Sequence, residues 1–377
     1  MHSTFLRREH IHGLLLGVAI GDALGLPREN LCRRRGLKMF GRGPLRYQLS
    51  PGQGIYSDDT QLMLLTAQAL LQSRSDGKAF RWIFQKRLSW YLLSFPVGAG
   101  RATLISAAKC WLMRLRLPSG VNSAGNGAAT RALINALAIH GTGHRLSRWV
   151  EESTKLTHTH PLASDGCRVL AALADHGATC KPDVFVAQAA LAVAINASST
   201  EDIKNKLSEL QSFLEQRRSP SAVARHFGWD QHVSGFIVPT TIMATYCWLR
   251  HPSDFRRAVE SAVLLGGDTD SVAAIVGGLV GAHVGARRLP TELVNGISGI
   301  SHGPAWIEKL AERLSHWPHG RDDLHSAPCQ STDPIGQLVR NAWTTVLVLT
   351  HVALRAIYRA TTSCTPRRDR RQVDNSR

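Results

Sequence analysis

The sequence predicts an all-α fold: a single globular helical domain followed by a C-terminal extension that is apolar, then basic. Three observations carry this. Apolar residues recur at helical spacing along most of the chain. No stretch alternates polar and apolar residues convincingly over strand length. Ala, Leu and Gly are plentiful while aromatics are 6%, which suits closely packed helices better than a β-sandwich. At 377 residues, 44% of them hydrophobic, the chain can bury one large core or two ordinary ones.

The elements follow in order. Ile11–Ile20 reads as a buried first helix, closed by Gly21-Asp22-Ala23-Leu24-Gly25. Arg7 and Arg8 ahead of it mimic a short signal peptide, with secretion as the alternative. However, Asp22 follows at once and no small-x-small cleavage site is convincing. Asn30–Gly54, rich in Gly, Pro and Arg, is expected to be a long loop. Thr60–Leu71 is a helix on Leu62, Leu65 and Ala69, with Asp58 or Asp59 capping its start. After a loop at Leu117–Gly127 come helices at Thr130–Ile139, Asp165–Asp175 and Asp183–Ile195. Val184–Ile195 is apolar nearly all round and is expected to be buried. A loop at Asn196–Glu201 and a helix at Phe255–Leu265 follow.

Ser271–Ala286 is the most telling helix. Ala273, Gly277, Gly281 and Gly285 recur every four residues, and Ala274, Gly278, Ala282 and Ala286 form a second row. Such faces let helices approach closely. The run is short and lies between aspartates and Arg287-Arg288, so it reads as a core helix rather than a membrane dimer. Beyond a loop at Ser315–Pro334, Leu338–Tyr358 is apolar with Arg340, Arg355 and Arg359 near its ends. A basic tail, Arg367-Arg368-Asp369-Arg370-Arg371, follows. The expected division is 1–330 for the helical domain and 331–377 for the extension. No segment reaches the ~20 uncharged apolar residues of a membrane span. The extension is therefore expected to pack on the body or mediate self-association, with peripheral binding to an anionic membrane as the alternative.

Lys+Arg 45 against Asp+Glu 28 gives a net charge of +17. That field attracts polyanions such as phosphorylated ligands, nucleic acid or acidic membranes; the bland reading is a basic solvated surface. No nucleic-acid recognition motif is present, so direct nucleic-acid binding is not favoured. The seven cysteines (Cys32, Cys110, Cys167, Cys180, Cys247, Cys329, Cys364) are scattered without CxxC spacing, which points to reduced thiols in a cytoplasmic compartment and away from thiolate zinc.

Two acidic motifs far apart in the chain carry the chemistry: Ser57-Asp58-Asp59-Thr60 and Gly266-Gly267-Asp268-Thr269-Asp270-Ser271, each directly before an apolar helix. Taken singly, these aspartates read as helix caps. Taken together, four carboxylates at helix starts repel one another unless a cation neutralises them. Oxygen ligands, including the hydroxyls of Ser57, Thr60, Thr269 and Ser271, favour magnesium first, with manganese or calcium behind it. Ser123-Ala124-Gly125-Asn126-Gly127 precedes another helix, where backbone N–H groups suit a phosphate; its bland reading is an ordinary turn. In Thr157-His158-Thr159-His160-Pro161 the bland reading, loop histidines bonded to backbone, outweighs a metal pair.

These segments occur in an order that resembles the ADP-ribosylglycohydrolase family: Gly21-Asp22-Ala23-Leu24-Gly25 with Glu29, Tyr56-Ser57-Asp58-Asp59-Thr60, Gly125-Asn126-Gly127-Ala128-Ala129 with Arg131, the histidine loop, and Gly267-Asp268-Thr269-Asp270-Ser271. The resemblance runs from about His10 to Ile307. It implies an all-α domain with a metal cleft holding two Mg²⁺ ions, Mn²⁺ being possible. The implied ligands are Ser57, Asp58, Asp59, Asp268, Asp270 and Ser271. Ser123, Gly125, Asn126, Gly127 and His158 match positions around ADP-ribose, and Glu29 matches the glutamate near the ribose.

The implied activity is magnesium-dependent hydrolysis of the ribose C1″ bond between ADP-ribose and an acceptor, first of all a protein side chain. Glu29, or a ligand aspartate such as Asp59 or Asp268, would be the catalytic base. The alternatives are an ADP-ribose-binding module without turnover, or a hydrolase of ADP-ribosylated nucleic acid or small metabolites. Departures from the family pattern keep the hydroxyl where Thr is common (Ser57, Ser271) and place Thr130 where Met is common, which is expected to alter packing on the adenosine side. All these residues precede Pro334, so the extension is expected to be separable from catalysis.

Overall fold

The computed structural model describes residues 2–74, 76–96, 98–112, 118–316 and 333–361, with side chains described between residues 7 and 356. Leu117, most of the expected Ser315–Pro334 loop, Cys329, Cys364, the side chain of Arg359 and the basic tail lie outside the described residues.

The helices in chain order are α1 (His2–Gly25), α2 (Arg33–Phe40), α3 (Asp58–Ser73), α4 (Gly77–Leu92), α5 (Arg101–Trp111) and α6 (Ala129–Ile139). Next come α7 (Leu146–Lys155), α8 (Pro161–Thr179), α9 (Ala187–Ala197), α10 (Glu201–Glu215), α11 (Pro220–His226) and α12 (Ile237–Arg250). The last are α13 (Phe255–Val263), α14 (Thr269–Val284), α15 (Thr291–Gly296), α16 (Pro304–Ser315) and α17 (Pro334–Thr361). Among the described residues the only sheet is a two-residue antiparallel pair, β1 (Leu31–Cys32) with β2 (Gly266–Gly267), Leu31 opposite Gly267. The all-α expectation holds.

The core is organised by α1 against α14. A methyl group added at Gly17 would lie 2.1 Å from Gly277 O, and one at Gly281 would lie 2.0 Å from Gly13 O. The two backbones therefore touch, and the first small-residue row of α14 is the surface they touch through. The second row sits where α1 and α6 meet: a methyl at Gly278 would meet Val18 Cγ2, on α1, at 2.7 Å and Leu133 Cδ1, on α6, at 2.8 Å. Every residue of α14 is buried. By length and composition Arg7–Arg28 is long and apolar enough to cross a membrane, but 89% of its most apolar stretch is buried inside the protein, as in a core helix.

Two expectations fail. The segment Asn30–Gly54 is not a plain loop, because it contains β1 and α2. β1 is anchored by pairing with β2, and buried Arg28 donates to Phe40 O and Gly41 O, both at 3.0 Å, satisfying carbonyls that the end of α2 leaves open. Nor is Val184–Ile195 a buried helix. Residues 182–184 form a short 3₁₀ turn, and α9 buries only Ala190, Leu191 and Ala194, with Val184 and Val186 exposed. α9 is a peripheral helix packed on α8 and α10; its alanines expose little apolar area each, so one-sided cover suffices.

Candidate active site

The site begins with Asp22, fully buried in α1. Its Oδ1 accepts from Ser57 N at 2.8 Å; its Oδ2 accepts from Thr60 N at 3.1 Å and from Thr60 Oγ1 at 2.6 Å. Asp22 thus satisfies open N–H groups at the start of α3 from a neighbouring helix. Within the chain Ser57 is the cap, its Oγ accepting from Asp59 N at 3.3 Å. The expected capping by Asp58 or Asp59 is therefore corrected: both lie in the first turn of α3, with capping done by Ser57 and Asp22, and their carboxylates are left to line the cleft.

The second acidic motif is aimed by a turn that only glycine fits. Gly267 has φ +90°, and a methyl there would lie 2.1 Å from Val233 O. Asp268 N donates to Val233 O at 2.8 Å. Asp268 precedes α14 without capping it; its Oδ2 accepts from Asn126 Nδ2 at 2.6 Å, and the same amide donates to Thr240 Oγ1 at 2.9 Å. Ser271 Oγ donates to Asp59 Oδ2 at 2.6 Å across 212 residues of sequence, joining the two motifs. Thr60 and Thr269 do not join the cluster as expected, because Thr60 Oγ1 donates to Asp22 and Thr269 Oγ1 to Gly25 O at 2.8 Å. Thr130 Oγ1 donates to Asp59 O at 3.3 Å, against the acidic cluster.

Glu29, Asp58, Asp59, Asp268, Asp270 and Ser271 line one cleft of about 630 Å³, with Ser123, Gly125, Asn126, Gly127 and His158 on its wall. Ser57 is buried and is not among the cleft-lining residues, although its Oγ accepts from the backbone N of Asp59, which is one of them. Gly125 N donates to Ser123 Oγ at 3.1 Å and Asn126 N to Gly235 O at 3.0 Å, so two of the N–H groups expected for a phosphate are already engaged. The histidine pair divides. His158 enters the cleft, its Nδ1 2.9 Å from Thr157 Oγ1, while His160 caps α8 by accepting from Leu162 N at 3.2 Å.

Burial, then neighbouring carboxylates, pushes the acids up: Asp59 to about 8, Glu29 to about 7 and Asp58 and Asp270 well above the usual range. Burial, then Arg131, holds His158 down at about 3, so it is neutral at physiological pH.

The residues fit a hard cation. Asp270 Oδ1 is buried without a hydrogen-bond partner, and the surrounding acids oppose one another's ionisation. Among the described residues no three His, Cys, Asp or Glu side chains stand together in ligand geometry, so carboxylates alone do not preform a centre; hydroxyls and water would complete it.

The one sequence signal for Asp22 is that a lone carboxylate inside an apolar helix needs partners. The Gly98–Thr103 side of the cleft, with Arg101, carries no local signal, because it is brought in by tertiary packing.

A family model described as ADP-ribosylglycohydrolase matches residues 3–323. The chain is 27% identical over 288 residues to ADP-ribosyl-[dinitrogen reductase] glycohydrolase of Rhodospirillum rubrum, covering 74% of this chain and 87% of that protein. It is 31% identical over 323 residues to ADP-ribosylarginine hydrolase Tri1 of Pseudomonas putida (strain GB-1), covering 80% and 76%. A solved structure, an ADP-ribosylglycohydrolase-related protein complex, superposes with a TM-score of 0.60 at 23% identity, over 83% of this chain and 99% of that one, a likeness of fold.

Proposed function

The chain belongs to the ADP-ribosylglycohydrolase family of glycosidic-bond hydrolases, and from that we propose that it cleaves the ribose C1″ bond joining ADP-ribose to a protein side chain in a divalent-metal-dependent reaction. The observation that carries the metal dependence is the convergence of the two acidic motifs at Ser271 and Asp59, beside the unpartnered Asp270 Oδ1.

Ser57, Asp58, Asp59, Asp268, Asp270 and Ser271 would hold two Mg²⁺ ions, or Mn²⁺, which when bound supply positive charge to ribose hydroxyls and make a water more acidic. Breaking the C1″ bond builds oxocarbenium character on the ribose. Glu29, lining the cleft and held near neutrality, is suited to take a proton from water, with Asp59 and Asp268, which also line the cleft, as the alternative bases. Neutral His158, beside Gly125 and Gly127, offers hydrogen bonding without adding charge. The described cysteines, Cys32, Cys110, Cys167, Cys180 and Cys247, are free, which supports a reducing, cytoplasmic setting.

The test is release of ADP-ribose from defined arginine- and serine-linked peptides, with magnesium, manganese or chelator. Metal-dependent release supports the reading; tight binding of ADP-ribose with no turnover of any linkage would replace it with a binding module.

A further inference from the structure

α17 lies beyond the residues matched by the family model, yet its inner face reaches both walls of the cleft. Arg340 is buried, its guanidinium 3.9 Å from the centre of the Tyr56 ring, and it donates to Tyr56 O, the carbonyl directly before Ser57. Asn341 Oδ1 accepts from Gln61 Nε2 of α3 at 2.8 Å, and Asn341 Nδ2 donates to Ser94 O at 2.9 Å. About four turns on, Arg355 donates to Glu29 O at 3.1 Å and to Pro27 O. Between these anchors Leu347 and Val348 pack on Leu26, Leu49 and Ile55.

The helix is amphipathic in reverse. Arg340, Asn341, Thr344 and Arg355 turn inward, while Ile335, Val346 and Leu349 are 75%, 54% and 62% exposed. Apolar burial alone does not explain this orientation, whereas hydrogen bonds to two backbone segments of the site do. A charge-assisted bond to a backbone carbonyl fixes that carbonyl and the residue next to it. Here those are Glu29 itself and the turn leading into Ser57-Asp58-Asp59.

We propose that α17 is a positioning element of the catalytic centre, with Arg355 setting Glu29 and Arg340 setting the Ser57–Asp59 wall. The proposal rests on the hydrolase reading for the role of Glu29, but the wall can be tested without turnover.

The experiment compares full-length wild type with Arg355→Ala, Arg355→Lys, Arg340→Ala, Arg340→Lys and, on the outer face, Leu349→Ser. Steady-state hydrolysis and Mn²⁺ binding by calorimetry are both measured. Arg355→Ala should lower kcat at least tenfold with KM within about threefold, and Arg355→Lys should recover part of it. Arg340→Ala should weaken Mn²⁺ binding at least tenfold, with partial recovery in Arg340→Lys. Leu349→Ser should match wild type in both readouts. Wild-type kcat and Mn²⁺ affinity in both folded alanine variants overturn the proposal, and so does an equal loss in Leu349→Ser. If an alanine variant does not fold, its lysine counterpart decides: values indistinguishable from wild type count against positioning through the guanidinium fork. If wild type hydrolyses nothing, the functional reading falls, while Mn²⁺ binding still judges Arg340.

Discussion

Ser271 Oγ stands 2.6 Å from Asp59 Oδ2, a single hydrogen bond joining the first turns of α3 and α14. That contact converts two motifs, each explicable alone as a helix start, into one acidic cluster. Ser271→Ala should weaken Mn²⁺ binding about tenfold or more, the range for loss of a group that orients a ligand. Ser271→Thr keeps the hydroxyl and should stay within a few-fold of the parent. Calorimetric titration of both variants checks this, and parental affinity in the alanine variant removes the hydroxyl from the site.

Asp59→Ala and Asp268→Ala should each abolish measurable ADP-ribose release while far-ultraviolet circular dichroism stays unchanged. Both carboxylates line the cleft rather than the apolar core. Near-parental rates in either folded variant would contradict their assignment.

Asp22→Ala should destabilise the protein by about 3 kcal/mol, because it strands buried N–H and O–H donors of Ser57 and Thr60. Denaturant unfolding measures the loss. A change below about 0.5 kcal/mol, the level of an ordinary surface substitution, would mean the donors find other partners.

Gly17→Ala and Gly277→Ala should each cost about 3 kcal/mol or more, since the added methyl meets backbone oxygen and the helices must separate. Gly36→Ala, in α2 with open space around it, should be neutral or slightly stabilising. Melting temperatures of the three variants distinguish close packing from a general cost of replacing glycine.

The pH dependence of the metal-free protein has a definite sign. The folded carboxyl groups of Glu29 and Asp59 titrate at about 7 and about 8, and those of Asp58 and Asp270 are also raised. Unfolded carboxylates titrate near ~4. Between these values the folded state holds more protons, so stability falls as pH rises. Chelated protein should melt at progressively lower temperature from pH 5 to pH 8, and millimolar Mg²⁺ or Mn²⁺ should flatten that slope by replacing protons with cations. Calorimetry that shows the chelated protein gaining stability over this range would contradict it.

The legible parts of the molecule were those written in periodicity and local chemistry. The four-residue rows of α14 announced a helix meant for close approach, and the structure supplies its partner in α1. The two acidic motifs were visible because carboxylates at helix starts are chemically conspicuous. The partnerships were not visible. Nothing near Ser57 says that Asp22 will hold it, and nothing near Asn126 says that its amide turns to Asp268. α9 misled because alanine is apolar enough to read as core and small enough to sit at the surface. On α17 most of the hydrophobic residues that a pattern reading counts, Val339, Trp343, Val346, Leu349 and Leu354, are exposed, while Leu347 and Val348 pack inward beside its buried polar groups.

Thr269 on α14 bonds to Gly25 at the end of α1 across 244 residues, and the glycine seam between those helices joins segments far apart in the sequence. A ribosome working at ~5–20 residues per second takes tens of seconds to supply the second half of that seam. Until α14 emerges, α1 has chiefly α3 and α6 among its earlier-made neighbours, and the glycine face that α14 covers has no partner. A chain broken off before α14 lacks Asp268, Asp270 and Ser271 as well as the partner of α1. Unfinished product would therefore lack both the second acidic motif and the cover of α1, so the surface that marks a chain as unfinished also marks it as missing half of the proposed site.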